Sequence, residues 1–311
     1  MAPSLSIIIP THKRASILAE CLACLDRQTI REQLEIIVVQ DGKDDKTTKL
    51  LEQLSAHWLL KDGLPKPMLE YFDIPKSQQG AARNFGVQKA SAPLVLFIGD
   101  DIFLAPDACE KHLFVHQSNQ PKNQKTNKLH ITKNEPTNQQ TNDIAVLGHT
   151  TWDPALIMTP VMKYLETSGW QFGYPALEPY RHMLIPTQRQ ESFTYTSHIS
   201  IPAPIAKQIQ FREDVTLYGW EDMEWGMRLR EVGIRLFYQP DAKAFHHHPM
   251  TLEQSLKRVE TLGKSAVITE RMNPGLSVTP KSWKKLIYPA IALLPTMRGR
   301  HAKAFLKGIR S

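Results

Sequence analysis

Two adjacent acids, Glu221 and Asp222, lie at the predicted start of an amphipathic helix. Acids at a helix start are stabilised by the positive end of the helix dipole, so this position has a structural explanation. Trp220 and Trp225 flank the pair, however, and tryptophans beside carboxylates favour a walled pocket over a solvated turn. A carboxylate in such a pocket can take a proton from a substrate, so both acids are candidate catalytic bases.

Further acids follow two apolar runs. Asp100 and Asp101 come after the run at 94–98, and carboxylates in this position can bind Mg²⁺ or Mn²⁺, which accept oxygen ligands. A solvated turn is the structural alternative. Asp41 follows the run at 35–39 and can accept hydrogen bonds from a nucleotide base, although Asp-Gly is also a common turn pair.

Basic and imidazole groups add two candidate sites. Gly80 and Arg83 begin a predicted helix, where a small residue lets the backbone approach a ligand and an arginine can bind phosphate. His246 and His248 share one face of an extended chain, and His247 lies on the other face. Imidazole is a frequent ligand of transition metals, but three consecutive histidines are also compatible with a polar loop.

Two pairs with metal-binding spacing are interpreted as structural. His112 and His116 are one helical turn apart, and no third ligand is evident near them in the sequence. Cys21 and Cys24 form a C-x-x-C pair inside a helical pattern, and free cysteines are usually buried. Three cysteines give no disulfide framework, so a reducing, cytoplasmic setting is expected.

The elements that must position these residues alternate between strands and helices. Apolar runs predict strands at 5–9, 35–39, 68–72 and 94–98, with helices between them, including one at 80–89. This alternation predicts an α/β fold with a mostly parallel central sheet flanked by helices. Ligands of such sheets bind beyond the carboxyl ends of the strands, where Asp41, Asp100 and Asp101 are expected.

The positive charge is concentrated at one end of the chain. The net charge is +7, but from Arg271 onward there are nine Lys and Arg residues and no acid. The preceding part is therefore slightly acidic, which argues against a nucleic-acid-binding core and leaves the basic segment to contact an anionic surface. Neither a signal peptide nor an apolar run of about 20 residues is expected.

Two segments depart from the alternating pattern. Residues 117–143 are rich in Gln, Asn, Lys and Thr, which predicts a flexible polar insertion. Residues 281–310 carry apolar side chains among basic ones, and Pro289 and Pro295 interrupt any long helix there. This second segment is either an interfacial, membrane-contacting segment or a terminal helix packed on the body, and the sequence favours neither.

Six short motifs follow one another along the chain. They are SIIIPT at 6–11, VVQDG at 38–42, GAARN at 80–84, FIGDD at 97–101, GWED at 219–222, and His246. Each is loose alone, but the six in this order resemble family 2 glycosyltransferases, which have the nucleotide-sugar-binding GT-A fold. The resemblance covers roughly residues 4–265. It implies inverting, metal-dependent transfer of a sugar from a nucleotide-diphosphate sugar to an acceptor hydroxyl.

The resemblance also implies a role for each matching residue. Asp222 would be the catalytic base, and Glu221 beside it would position the acceptor. The cation, Mn²⁺ or Mg²⁺, would be bound by Asp101 with His246 or His248. The residues implied in donor binding are Pro10, Thr11, Arg14, Asp41, Gly80, Arg83, Asn84 and Asp100. The residues implied on the acceptor side are Ser197, His198 and Trp220.

Three positions depart from the family pattern. Gly99 occupies the first acidic position of the usual Asp-x-Asp, Gln40 stands where an acid is common, and His198 stands where an asparagine is expected. The Gly99 departure leaves a non-catalytic nucleotide-sugar-binding protein as one alternative. A nucleotidyltransferase is another, but that class usually has a glycine-rich loop after its first strand, and residues 10–14 contain no glycine.

The implied organisation has four parts. Residues 1–116 would bind the nucleotide sugar, 117–143 would be the insertion, 144–265 would bind the acceptor and carry the base, and 266–311 would form a basic amphipathic tail. The expected partners are a nucleotide-sugar donor and a saccharide or lipid-linked acceptor, with no nucleic acid. Contact of the basic tail with the inner face of a membrane is one expectation, and packing of the tail on the body is the other.

Overall fold

The computed structural model describes residues 2–60, 67–119, 143–214, 219–280 and 282–311. The predicted insertion at 117–143 lies almost entirely outside them. The strands are β1 Leu5–Thr11, β2 Leu34–Asp41, β3 Met68–Ile74, β4 Leu94–Ile98, β5 Ile102–Leu104, β6 Ile144–Trp152, β7 Met183–Leu184, β8 His198–Pro202 and β9 Arg235–His246. The helices are α1 Ala15–Asp26, α2 Asp45–Leu60, α3 Gln79–Lys89, α4 Ala108–Ser118, α5 Pro160–Ser168, α6 Ala203–Gln208, α7 Glu221–Glu231, α8 Leu252–Met272, α9 Ser282–Ala292 and α10 Met297–Arg310.

The strands of the described residues form one sheet in the order β3-β2-β1-β4-β8-β6-β9-β5, with β7 paired to β9. In the first half, β1 pairs in parallel with β2 and β4, and β2 pairs in parallel with β3. In the second half, β8 runs antiparallel to β4 and β6, while β9 runs parallel to β6. The predicted α/β fold is confirmed, and every antiparallel pairing among the described strands involves β8 or β9.

Helices cover both faces of the first half, which explains the continuous apolar runs. Every residue of β1 and β2 is buried. Alternate residues point to opposite faces of a strand, so Ile8 and Ile37 join one core cluster while Ile7 and Ile36 join the other. Helix α3 packs closely on the first face, because a Cβ at Gly86 would lie only 2.6 Å from Ile8 Cγ2.

The strand ends assemble the chemistry-bearing residues. Strands β1 and β2 end at Thr11 and Asp41, and Asp100 and Asp101 follow the end of β4. Strand β9 ends at His246, which is paired in register with both Ile102 of β5 and Trp152 of β6. Through these two pairings, His246 at the end of β9 lies next to Asp100 and Asp101, which form the acidic turn after β4.

The predicted start of the C-terminal tail does not coincide with the start of a helix. The predicted boundary at 265/266 falls inside α8, a continuous helix of 21 residues. Helix α10 packs along α8, where a Cβ at Gly308 would lie 2.0 Å from the Glu260 carbonyl oxygen. His301 of α10 is fully buried and its Nε2 lies 2.8 Å from Ser255 Oγ. For α10, the packed-helix alternative is therefore the correct one.

Helix α9 and the turn after it remain exposed. Four large apolar side chains of this segment face solvent: Leu286 is 82% exposed, Leu293 86%, Leu294 50% and Ile287 45%. As predicted, Pro295 lies in the break between α9 and α10, but the prediction for Pro289 was wrong, because α9 continues through it. Among the described residues, no helix has both the length and the apolar content to cross a membrane.

Candidate active site

The acidic turn after β4 is tied to β1 and α1. Thr11 Oγ1 donates a hydrogen bond to Asp100 Oδ2 at 2.7 Å. The Arg14 guanidinium bridges the two acids, with 2.9 Å from Nη1 to Asp100 Oδ1 and 2.8 Å from Nη2 to Asp101 Oδ2. Three of the predicted donor residues and the predicted metal ligand Asp101 are thus brought together by direct contacts.

The two carboxylates of this turn have opposite electrostatics. Burial raises the pKa of Asp100 to about 6, and the positive charge of Arg14 offsets only part of that effect. Burial would also raise the pKa of Asp101, but hydrogen bonds from His246 and His248, together with the charge of Arg14, hold it well below its usual range. Asp101 is therefore an anion at neutral pH and a suitable ligand for a cation.

His246 and His248 converge on Asp101. The Oδ2 atom of Asp101 lies 3.3 Å from His246 Nε2 and 3.3 Å from His248 Nδ1. One ligand atom from each residue lies within 4.8 Å of the others. His247 points elsewhere and binds Asp153 at 2.6 Å, as the alternation of an extended chain predicts.

This cluster fits a divalent cation. The His246 ring stacks on Trp152 with a centroid distance of 5.3 Å, which fixes its orientation. Its Nδ1 atom is buried and has no hydrogen-bond partner in the described part of the chain. One carboxylate and two imidazoles suit Mn²⁺ better than Mg²⁺, which favours oxygen ligands. These three residues could therefore hold the ion that the sequence implied.

Asp41 is engaged within the protein. Its Oδ1 atom accepts hydrogen bonds from the backbone amides of Ser77 at 2.6 Å and Gln78 at 3.2 Å, and Lys76 forms an ion pair with Oδ2. Burial would raise the pKa of Asp41, but these contacts, led by the Lys76 hydrogen bond, hold it below its usual range. Asp41 thus fixes the loop that leads into α3, a contact that sequence reasoning missed.

The predicted donor residues of α3 divide into two groups. Asn84 holds the loop at 211–213, because its side-chain amide exchanges hydrogen bonds with the backbone of Phe211 at 2.8 Å in both directions. Arg83 is 4% exposed, and its guanidinium lies 5.5 Å from the Phe211 ring centroid. Gly80 lines a cavity of about 260 Å³ that Glu221 also lines. Asn84 therefore stabilises the loop at 211–213, while Gly80 borders the cavity.

The acids at the start of α7 are held in place by neighbouring elements. The Asp222 carboxylate accepts a hydrogen bond from the Thr196 amide at 3.1 Å and another from the Thr196 hydroxyl at 2.5 Å. Gln79 of α3 donates to Glu221 Oε1, while Glu221 Oε2 is buried and has no partner among the described residues. Burial raises the pKa of both acids, and the charge of Arg83 opposes that rise.

Two of the residues predicted on the acceptor side point away from the candidate site. The His198 ring is 0% exposed and lies 3.1 Å from His112 Nε2, inside the protein, so it offers no surface to an acceptor. The Trp220 indole donates to the Leu262 carbonyl oxygen of α8 at 3.0 Å and packs on the C-terminal helices. Ser197 is partly exposed and directly follows Thr196, whose amide contacts Asp222.

His112 and His116 agree with their structural interpretation. Both are buried in α4, with His112 Nδ1 2.8 Å and His116 Nε2 2.9 Å from the Ser200 hydroxyl. Burial lowers the pKa of His116 to about 4 and that of His198 to about 3, and it holds the pKa of His112 well below the ordinary range. These histidines form a neutral, hydrogen-bonded cluster between α4 and β8.

Comparison with known proteins identifies the family. Residues 6–164, just over half of the chain, match the sequence profile of glycosyl transferase family 2. The chain belongs to this family. Validoxylamine A glucosyltransferase of Streptomyces hygroscopicus subsp. jinggangensis is 27% identical over 244 residues, which is 75% of this chain and 52% of that protein. The chain thus spans about half the length of this curated relative.

Solved structures show the same fold. The mannosyltransferase PcManGT from Pyrobaculum calidifontis, in complex with GDP-Man and Mn²⁺, aligns with a TM-score of 0.56 and 16% identity, over 100% of this chain and 76% of that one. S. aureus TarS 1–349 in complex with UDP-GlcNAc aligns with a TM-score of 0.56 and 15% identity, over 96% and 73% of the two chains. The GT-A fold is therefore common to this family 2 member and to both transferases.

Proposed function

We propose that this family 2 protein transfers a sugar from a nucleotide-diphosphate sugar to an acceptor hydroxyl, with inversion at the anomeric carbon. The observation that carries the proposal is the Asp222 carboxylate, which is partly buried, is fixed by two hydrogen bonds from Thr196, and has its pKa raised by the loss of solvent around it. A raised pKa brings a carboxylate closer to the pH at which it works as a base. Family membership supplies the reaction class.

In the proposed reaction, Asp222 accepts the proton of the acceptor hydroxyl. A hydroxyl is a poor nucleophile near neutral pH, so its attack requires a positioned base. The Thr196 contacts orient the carboxylate before the acceptor binds. Glu221, whose Oε1 atom is held by Gln79 and which lines the neighbouring cavity, would help to position the acceptor. Attack from the face opposite the departing diphosphate inverts the anomeric configuration.

The donor side of the proposal rests on the acidic turn. Asp101, His246 and His248 would hold Mn²⁺ or Mg²⁺, which supplies positive charge to the diphosphate leaving group when bound. Asp100, already held by Thr11 and Arg14, would accept hydrogen bonds from the donor ribose or sugar. PcManGT, a protein of the same fold, was solved in complex with GDP-Man and Mn²⁺, which supports the use of a divalent cation.

We also propose that the acceptor is lipid-linked or lies at a membrane surface. Helix α10 carries five Lys and Arg residues and no acid, and the segment before it exposes Leu286 and Leu293 on more than 80% of each side chain. Exposed apolar side chains beside cations favour binding to anionic lipid. A relative from Campylobacter jejuni is 32% identical over 101 residues, which is 32% of this chain and 30% of that protein, and it is named GalNAc(5)-diNAcBac-PP-undecaprenol beta-1,3-glucosyltransferase.

A screen of nucleotide sugars tests the proposal. UDP- and GDP-sugars are added to the purified protein with Mn²⁺, and thermal unfolding and release of the nucleoside diphosphate are both measured. A bound donor raises the unfolding temperature by mass action, and slow donor hydrolysis is expected for at least one of the sugars. Stabilisation without any hydrolysis or transfer would instead indicate a non-catalytic binding protein.

A further inference from the structure

One carboxylate oxygen of the acidic turn serves two purposes. Asp101 Oδ2 accepts the 2.8 Å contact from Arg14 Nη2 and also lies 3.3 Å from both His246 Nε2 and His248 Nδ1. A cation held by Asp101 and the histidines would take this same oxygen as a ligand. Arg14 and the cation therefore compete for one atom.

Arg14 is placed to leave this oxygen. Asp100 and Asp101 are 5% and 8% exposed, and two adjacent buried acids require a positive charge nearby. Arg14 provides it from a side chain that is 37% exposed and that lies just before α1. Asp100 has a second partner in Thr11, so it stays anchored when the guanidinium moves.

We propose that Arg14 is an exchangeable counter-ion, which holds Asp101 until a divalent cation binds and is then released to the diphosphate of the donor. This inference rests on the metal site of the proposed function. An arginine that remained at Asp101 would repel the cation at close range. A guanidinium binds phosphate oxygens in a bidentate manner, so the released charge has an anionic partner when the donor is present.

Calorimetric titration with Mn²⁺ alone, without nucleotide, tests the competition on the full chain. Arg14→Gln removes the competing charge and is expected to bind Mn²⁺ about 10-fold more tightly than the wild type at low salt. Arg14→Lys keeps the charge and is expected to stay within about threefold of the wild type. Arg230→Gln is the matched control, because Arg230 forms a 2.7 Å ion pair with Glu191 at a different site.

Release to the donor gives a second measurement. With Mn²⁺ saturating, Arg14→Gln is expected to bind uridine or guanosine diphosphate about 10-fold more weakly than the wild type, because a charged phosphate contact is lost. In the wild type, saturation with diamagnetic Mg²⁺ should also shift the NMR signal of the Arg14 Nε–H group. This signal reports on Arg14 even where Arg14→Gln fails to fold.

The outcomes separate the inference from the metal site. Two results would overturn the counter-ion role and leave the metal site standing. One is equal or weaker Mn²⁺ binding by Arg14→Gln, and the other is an Arg14 signal that stays unchanged at a Mg²⁺ concentration that shifts the ring signals of His246 and His248. An equal gain in affinity for Arg14→Lys and Arg14→Gln would also overturn it, because charge would not be the cause. Absence of Mn²⁺ binding by the wild type would overturn both.

Discussion

The Nε2 atom of His246 lies 3.3 Å from the Oδ2 atom of Asp101, although the two residues come from opposite halves of the chain. The register of β9 against β5 sets this distance, because His246 is paired with Ile102, the residue that follows Asp101. The candidate metal site is therefore a product of strand pairing between the halves. Neither half can supply it alone.

Asp101→Ala should remove the metal dependence of donor binding. The variant loses the anionic ligand of the cluster, so we expect at least a 10-fold loss of nucleotide-sugar affinity in Mn²⁺ and little loss in EDTA. Calorimetry in the two buffers measures this difference. Asp241→Ala, which removes a half-exposed acid paired with His182, is the control. Unchanged affinity for Asp101→Ala would rule out the site.

Acid should destabilise the protein through its buried histidines. The folded state holds His112, His116 and His198 neutral, with pKa values below the ordinary 6.5. Below pH 6.5 the unfolded state binds more protons, so stability present above that pH is lost as the pH falls. Each histidine accounts for about 1.4 kcal/mol of unfolding free energy at pH 5.5. Urea unfolding at pH 7.5 and 5.5 measures the loss.

Removing one histidine isolates its part of this acid effect. His198→Asn should reduce the loss between pH 7.5 and 5.5 by about 1.4 kcal/mol, while other titrating groups cancel in the comparison with the wild type. His182→Asn is the matched control, since His182 is half exposed and its φ of 55° suits asparagine. Parallel pH profiles for the wild type and His198→Asn would contradict the account.

Gly148→Ala should destabilise the fold without touching the candidate site. A Cβ at Gly148 would lie 2.2 Å from Cε1 of the His198 ring, which is held on both sides. Overpacking of this kind costs about 1–3 kcal/mol of unfolding free energy. Gly275→Ala places its Cβ 3.3 Å from the flexible Met227 sulfur and should cost under about 0.5 kcal/mol. Denaturant unfolding distinguishes the two, and equal stabilities would refute the packing argument.

The exposed apolar segment should bind lipid. A variant with Leu286→Glu and Leu293→Glu is expected to bind vesicles containing phosphatidylglycerol at least about 10-fold more weakly. Two apolar side chains that would insert into the lipid are replaced by negatively charged ones. Ile157→Glu is the matched control, since Ile157 is 90% exposed on another part of the surface. Vesicle sedimentation gives the comparison. Equal binding by all three proteins would exclude this segment as the membrane contact.

The features predicted from local sequence were the strands, the helices and the motifs at strand ends. The apolar run at 94–98 is a buried strand because helices cover both faces of that half. The spacing of His246 and His248 placed both on one side of the chain, and both contact Asp101. A regular backbone converts residue spacing directly into direction, so such predictions need no tertiary information.

The features that were missed depend on distant contacts. Nothing local shows that Lys76 and two amides occupy Asp41, because the β2–β3 pairing brings that loop to it. His198 was expected to contact an acceptor, but α4 covers it. Trp220 was expected to line a pocket, but its φ of 70° turns it towards α8. In each case the partner comes from elsewhere in the chain.

The most direct test of the proposed function is the transfer rate of Asp222→Asn. Asparagine keeps the shape of the side chain but cannot accept the proton, so the rate should fall by about 10²- to 10⁴-fold. The donor affinity measured by calorimetry should change less than about threefold, because the residues proposed to bind the donor lie at the acidic turn. Glu231→Gln, at the exposed end of the same helix, should behave as the wild type. Transfer by Asp222→Asn at a near wild-type rate would contradict the assignment of Asp222 as the base.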